Sequence, residues 1–568
     1  MRFLDKLNPD QLKAVKAEKG ITRILAGAGS GKTSTLTSKI AYEIAKGMDP
    51  GKILALTFTK KAGTELKMRV KALIGDKAEG IFAGTFHSFA HSHLSKILTY
   101  SIIMDDDIYD ILKTVLEDYQ GVPYKIDDLM KLISYHRNLQ KPYKDPMLAQ
   151  IEQDYKKFKL KNNLKDFDDL LCDFLALLNE NFFKFDYELV LTDESQDNNV
   201  VQNQIVKQLI KKNRNLFIVG DYFQSIYKFR GASPESFNSW AEEGCIDHQL
   251  TYNYRSTNEI LKVANKLLKG MDAAEHLKIE LKNPKSHPAD PKAKLVKVGN
   301  LADEINYTVQ KIRELKANGY SYESMTILYR SHYYSQQLQL KLTECGIPIT
   351  VWSGQNVLNA RHIQDVMAFL RVYINKSDIV AWSRIFSLMP KVGKKTASTL
   401  AITAAHQGVH NVDHSSVIPI QNIFKHHEQN SFFQSLEQFY IPYIRSEYPK
   451  EHRDIATSKF LSYIKAQPDV KKTIGDLLFD NKDEKEMKGV TMTTVHQAKG
   501  LEWDNVFVIG LFDGVFPNLR NEDLQEEIRL LYVAVTRAKT NLYCMFPELN
   551  GKGQKTVSML YDLILKTK

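Results

Sequence analysis

The tripeptide Gly31-Lys32-Thr33 carries the most specific chemistry in the chain. It closes a glycine-rich turn that follows the apolar run 21–26, and it opens a segment with Leu36, Ile40 and Ile44 at helical spacing. Strand, turn and helix in that order aim successive backbone N–H groups and a helix N-terminus at one spot, which is a cradle for phosphates. Lys32 is placed to reach the outer phosphates, and the Thr33 hydroxyl to ligate Mg²⁺. The cradle runs through Ala26, Gly27, Ala28, Gly29, Ser30, Gly31, Lys32, Thr33 and Ser34, with alanine at 26 where such loops usually begin on glycine. A surface turn is the plainer reading, and the register of all three parts weighs against it. Alone, the loop indicates a nucleoside triphosphate and nothing about its use.

The acids that such a loop needs follow the apolar run 187–192. Asp193 is suited to hold Mg²⁺ through its water shell, and Glu194 to orient and deprotonate an attacking water. Two acids at a strand end are common on surfaces; two followed by Ser195-Gln196-Asp197 behind a phosphate loop are much less so. Gln224, after the strand signal of 215–221, is placed to sense a γ-phosphate. Gln11 sits in a segment that Asn8 can cap and Pro9 can start as a helix. Its amide can pair with both a ring nitrogen and the exocyclic amine of adenine. An exposed helical glutamine is the plainer reading there.

These groups need a sheet to hold them. Strand signals at 21–26, 53–59, 81–88, 187–194 and 215–221 alternate with helical ones, which predicts an α/β domain with a parallel sheet and ligands at the C-terminal strand ends. Phe58, Thr85, Phe86 and His87 fall at such ends, buried core aromatics being the competing reading. Tyr227, Phe229 and Arg230 are aromatic and planar cationic groups suited to base stacking. A second strand–helix series begins near 250, with strands at 292–298, 325–330, 490–503 and 505–510 and a helix over 303–316.

Two long stretches break this alternation, and both read as helical insertions. The first carries five lysines, no acids and interleaved aromatics over 155–165, either a phosphate-tracking surface or, more plainly, a solvated helix face. In the second, Pro390-Lys391-Val392-Gly393-Lys394-Lys395 is a turn suited to grip a duplex backbone. Five histidines over 406–427 match no zinc spacing and read as exposed side chains.

At 568 residues, 43% apolar and 25% charged, the chain is an ordinary globular composition of two to four domains. A net charge of +10 favours an anionic partner. Four scattered cysteines argue against zinc, iron–sulfur or a disulfide framework. No apolar run is long enough for a signal core or a membrane span.

Ten motifs in order now carry a resemblance. They are Asn8-Pro-Asp-Gln11, 26–33, Thr57-Phe-Thr59, Gly84-Thr-Phe-His87, Asp166-Phe-Asp-Asp-Leu170, Asp193-Glu-Ser-Gln-Asp197, 220–231, Asn253-Tyr-Arg255, 495–502 and 532–538. Over nearly its whole length the chain resembles the superfamily 1 DNA helicases of the UvrD/Rep/PcrA group. The resemblance implies two RecA-like P-loop domains with parallel sheets, each bearing a mainly helical insertion. The first domain would be 1–89 with 179–250, its insertion 90–178, the second domain 251–354 with 487–568, and its insertion 355–486. ATP and Mg²⁺ would lie in the cleft between the domains. Gln11 and Tyr254 would hold adenine and Glu502 the ribose. Lys32, Gln224, Arg255 and Arg537 would surround the γ-phosphate, so that catalysis needs domain closure. Phe58, Thr85, His87, Tyr227, Phe229, Arg230, Thr494 and His496 would line a single-strand track. Lys391, Gly393 and Lys394 resemble the duplex-contacting element of the second insertion.

The implied activity is ATP-driven 3′→5′ movement on single-stranded DNA that unwinds duplexes in replication, repair or recombination, in bacterial or phage-infected cytoplasm, acting on single strands and their junctions with duplex. A translocase that strips proteins and unwinds poorly shares the same motor. An ATP-gated scaffold is at odds with intact Lys32, Glu194 and Arg537, and a small-molecule P-loop kinase leaves everything after Gly231 unexplained. Departures from the family pattern stand at Tyr222-Phe223, where Asp-Asp or Pro-Asp is usual, at Phe229, where tryptophan is usual, and at Ser195 and Asn198. The first pair bears on how ATP is coupled to DNA.

Overall fold

Short runs of β-branched and aliphatic residues with almost no exposed face dictate buried parallel strands. The computed structural model describes residues 1–228, 231–232, 234–284, 293–352, 361–425, 428–447, 453–478, 488–519, 523–550, 554–556 and 558–566. The chain divides into two compact units, one of Met1–Gly84, Lys184–Gly354 and Glu484–Lys568, the other of Thr85–Phe183 and Gln355–Asp483. The insertions read from sequence differ from the second unit's segments by a few residues at 90, 178 and 486. Among the described residues no helix is long and apolar enough to cross a membrane.

The first unit contains two six-stranded sheets. The strands of the first are β1 (Ile21–Ala26), β2 (Ile53–Thr57), β3 (Phe82–Thr85), β6 (Leu189–Thr192), β7 (Leu216–Gly220) and β8 (Ile246–Leu250), in the order β3-β2-β6-β7-β1-β8. β1 runs parallel to both β7 and β8, and β6 parallel to both β2 and β7. Their C-terminal ends therefore share one edge, where the registers Leu25↔Gly220 and Leu56↔Thr192 set the phosphate loop beside Asp193 and Asp221. The core behind that edge is aliphatic, with Ile24, Ile40, Leu191 and Val219 fully or almost fully buried. Arg23 is the exception within β1: it is fully buried, and its guanidinium bonds both oxygens of Asp247 on the paired strand at 2.8 and 2.7 Å. A buried charge is tolerable only when paired in this way.

The second sheet is built from β9 (Ala293–Val298), β10 (Met325–Tyr329), β11 (Ile349–Trp352), β12 (Val490–Thr494), β13 (Trp503–Val508) and β14 (Ala538–Pro547), in the order β11-β12-β10-β13-β14-β9. Each neighbouring pair in it is parallel. The helix expected over 303–316 is Leu301–Ala317, started by Asn300, whose side chain accepts from Ala302 and Asp303.

Glu304 in that helix is 1% exposed. It accepts from the Gly510 N–H at 2.8 Å and from the Tyr334 hydroxyl at 2.9 Å, yet burial outweighs both bonds and pushes its carboxyl up to about 7. The folded chain thus keeps a proton that the unfolded chain releases near its ordinary value of 4.5. Stability from this site is present at acid pH and is lost as pH rises through about 7. Glu304→Gln, whose Oε1 can accept from Gly510 N–H and whose Nε2 can donate to the Tyr334 oxygen, carries no charge and is expected to gain stability over the parent as pH rises from about 4.5 to about 7, by up to about 3 kcal/mol, and no further above that. A parent–variant difference that does not grow with pH contradicts this.

The second unit is mainly helical. One small parallel pair, β4 (Ser101–Ile102) with β5 (Leu164–Lys165), lies in the stretch expected to be helical throughout. The lysine-rich run expected as a phosphate-tracking or solvated face is in part neither: Lys159 is 2% exposed and pairs with Asp166 and Asp169, and Lys165 pairs with Asp173. Arg137 joins the same two aspartates. The motif 166–170 therefore serves here as a buried charge cluster with a capping box at Asp166.

Candidate active site

β1 ends at Ala26 and the helix Lys32–Ala45 begins six residues later, with Gly31 as its N-cap in the left-handed region at φ +83°. Gly29 is left-handed too, at φ +67°. Both glycines are also required by proximity. A Cβ at Gly31 would come within 2.5 Å of Gln11 Nε2, and one at Gly29 within 2.7 Å of Arg255 Cβ. The phosphate loop is thus enclosed by residues more than two hundred positions away. Asn253, fully buried, donates from Nδ2 to the Ala28 carbonyl at 2.6 Å and accepts from Arg255 and Ser256 N–H groups, and Tyr254 N–H donates to Gly29 O at 2.9 Å.

The acids stand where the sequence placed them. Lys32 Nζ lies 3.3 Å from Glu194 Oε1, and Gln196 Nε2 donates to Glu194 Oε2 at 2.6 Å. Glu194 is held at φ +50°, which costs a non-glycine residue about 1 kcal/mol and is paid at functional positions. Burial pushes the Glu194 carboxyl up, but Lys32 and Lys499 outweigh it and hold it low. Asp193 is pushed up, by burial and then by the Glu194 charge. No ion pair to Asp193 exists among the described residues.

Gln224 joins the two sheets' contributions. Its Nε2 donates to Asp221 at 2.7 Å and its Oε1 accepts from Arg537 at 3.0 Å. Arg537, 2% exposed, is fixed further by the Val533 and Leu501 carbonyls. Burial, with Arg255 next to it, pulls its guanidinium down to about 9. Arg255 bonds Glu502 Oε2 at 2.6 Å and the Thr536 carbonyl at 3.1 Å, and Lys539 reaches the other Glu502 oxygen at 3.0 Å. Lys32, Arg255 and Arg537 therefore bring three cationic side chains to the phosphate-loop edge, as an anion site requires.

Phe58, 38% exposed, stacks on Tyr227 with centroids 5.1 Å apart and planes 18° apart. The Tyr227 hydroxyl donates to the His496 carbonyl at 3.2 Å, and Lys499 lies over the Tyr227 ring at 5.1 Å while bonding Asp197 and the Gln224 carbonyl. Thr494 ends β12, two residues before His496. Thr85, Phe86 and His87 start the second unit. Thr85 caps the helix Phe86–Leu94, whose first residue shortens the strand expected over 81–88. His87 meets Phe167 edge-on at 5.5 Å, and Phe86 is 4% exposed, so its ring is in the interior and not on a base-stacking surface. Lys391, at φ +63°, Gly393 and Lys394 form an exposed turn that opens the helix Lys394–Gln407. Phe229 and Arg230 lie outside the described residues, as do the last two of the five histidines.

A family model described as the UvrD/REP helicase N-terminal domain matches residues 7–243, and one for the UvrD-like helicase C-terminal domain matches 248–476 and 425–548. The chain belongs to the UvrD/REP helicase family. Among relatives of this family member, the ATP-dependent DNA helicase PcrA of Bacillus subtilis is 31% identical over 95% of this chain and 83% of its own length. A probable DNA helicase II homolog of Mycoplasma capricolum is 31% identical over 96% and 84%. PcrA of Staphylococcus aureus is 29% identical over 95% and 83%.

Three residues of the site carry no role of their own in the motif pattern of the sequence. Gln196, two positions after Glu194, orients its carboxylate. Asn253 ties the phosphate loop to Tyr254 and Arg255, and Lys499 ties Asp197 to the Gln224 backbone. Their buried amide or ammonium between charged motif residues was the available signal.

Proposed function

We propose that this family member is an ATP-dependent DNA helicase that moves 3′→5′ along single-stranded DNA and unwinds duplexes. The observation that carries the reading is the Arg537–Gln224–Asp221 chain of hydrogen bonds, which joins the second sheet to the phosphate-loop edge of the first. The domains are those read from sequence, 1–89 with 179–250 and 251–354 with 487–568, bearing insertions 90–178 and 355–486. ATP supplies a phosphoanhydride whose hydrolysis to ADP and phosphate drives the movement. The residues fit it: the depressed basicity of Arg537, caused by burial and by the Arg255 charge beside it, is relieved by an anion. The Thr33 hydroxyl and the Asp193 carboxylate, which has no ion pair among the described residues, fit Mg²⁺, which would offset phosphate charge.

Glu194, with Gln196 orienting it, takes the proton of the attacking water. Arg255 and Arg537 stabilise the charge that develops on the transferred group, and both depend on the second half of the site being in place. Gln224 senses occupancy, because its amide lies between Arg537 and Asp221 while its carbonyl holds Lys499, which touches the Tyr227 ring. Tyr227 and Phe58 stack bases, and Thr494 and His496 complete that surface. Thr85 and His87 are strand contacts in their own right, and Lys391, Gly393 and Lys394 hold duplex backbone. The test is strand separation with ATP and Mg²⁺ on duplexes with a 3′ or a 5′ tail. Unwinding of the 3′-tailed substrate is expected, and unwinding confined to the 5′-tailed one contradicts the polarity.

A further inference from the structure

The base end of the nucleotide site closes on a residue that neither the motif reading nor the proposed mechanism assigns. Asn8 caps the helix Pro9–Val15 in a capping box: its Oδ1 accepts from Gln11 N–H at 2.8 Å, and its own N–H donates to Gln11 Oε1 at 3.1 Å. That cap fixes the amide's orientation, because only the oxygen can face an N–H. Nδ2 is therefore turned outward, and it donates to the Tyr254 hydroxyl at 2.6 Å. The far side of Gln11 donates from Nε2 to the Ser30 carbonyl at 3.1 Å, and Tyr254 N–H donates to the Gly29 carbonyl at 2.9 Å. Phosphate loop, Gln11, Asn8 and Tyr254 thus form a closed ring of hydrogen bonds, with Asn8 the member that joins the two base-contacting side chains.

We propose that Asn8 is a positioning residue for capture of the nucleotide base: it holds the Tyr254 ring at a set distance from the Gln11 amide, so that one planar base fits between stacking face and amide edge. This rests on reading Tyr254 as the adenine-stacking ring. Tyr254 needs such a tether, since it is 43% exposed and stands on a turn. The helix itself does not need the tether. Lys39 anchors its far end through the Val15 and Ala17 carbonyls at 3.3 and 2.8 Å, and Asp10 accepts from the Thr251 hydroxyl at 2.9 Å.

The distinguishing variant is Asn8→Ser. Serine caps as well as asparagine and keeps the capping box with Gln11, but is too short to reach Tyr254. ATP hydrolysis on saturating single-stranded DNA is measured for the full chain, Asn8→Ser, Tyr254→Phe, the double variant and Tyr254→Ala. Asn8→Ser and Tyr254→Phe are each expected to raise KM for ATP about three- to tenfold, with kcat within about twofold and the thermal midpoint unmoved. The double variant should rise no further than either single one, because both remove the same bond. An unchanged KM in Asn8→Ser beside a raised KM in Tyr254→Ala overturns the tether and leaves the adenine reading standing, as does multiplication of the two single effects. An unchanged KM in Tyr254→Ala overturns both.

Discussion

Replacing Arg537 with alanine should lower ATP turnover on saturating single-stranded DNA by about 10³-fold or more. The size follows from placement. The guanidinium is 2% exposed, anchored by two backbone carbonyls, and directed by the Gln224 bond toward the edge that carries Lys32 and Glu194. A donor so fixed needs no reorganisation when charge develops on the transferred group, which is where such groups act most strongly. Arg537→Lys should fail nearly as badly, because a single ammonium cannot hold Val533, Leu501 and Gln224 at once. Nucleotide binding, followed by displacement of a fluorescent analogue, should survive in both variants, which separates lost catalysis from lost folding. Turnover within tenfold of the parent would mean that Arg537 is a structural strut.

Glu194→Gln is the second large effect, about 10²–10⁴-fold in turnover. Glutamine has the same shape, can occupy the left-handed backbone position at the same cost, and still meets Gln196, so binding of ATP and of DNA should be kept. What it lacks is a basic oxygen for the water proton. The variant should therefore accumulate as a slow, nucleotide-loaded complex on DNA, visible as a lengthened dwell on a single-stranded oligonucleotide. Near-normal turnover would place the base elsewhere, and no other carboxylate among the described residues lies within an ion-pair distance of Lys32.

What could be read from the sequence, and what could not, follows from the range of the interactions involved. The phosphate loop, the paired acids and the parallel strands were legible because each is a local pattern: a turn that needs glycine, a strand end that needs an acid, an apolar run of strand length. Phe86 was open for the opposite reason. A phenylalanine at a strand end looks the same whether its ring faces solvent or the interior, and here the helix that starts at residue 86 turns it inward. Lys159 sat in a run without acids, yet Asp166 and Asp169, seven and ten residues on, neutralise it. β4 and β5 are two residues each, too short for periodicity to register. The Asn253 and Lys499 contacts, each spanning more than two hundred residues, had no local signature at all.

The unusual pair Tyr222-Phe223 now has a physical setting. Phe223 is 3% exposed and meets the fully buried Tyr532 ring edge-on, at 6.5 Å between centroids. At this pair the chain has an apolar contact between the segment bearing Gln224 and the helix Leu524–Val535, which leads to Arg537. The contact supplements the Gln224–Arg537 bond between the same two segments.

The central claim is that this site spends ATP on movement along DNA. The measurement that tests it most directly is the steady-state rate of ATP hydrolysis with and without an unstructured single-stranded oligonucleotide, for the parent and for Lys32→Ala. The account predicts slow hydrolysis without DNA, strong stimulation by the oligonucleotide regardless of its base sequence and weakening with salt, and loss of activity in Lys32→Ala under both conditions. Parent hydrolysis that does not respond to DNA, or stimulation that survives in Lys32→Ala, would contradict it.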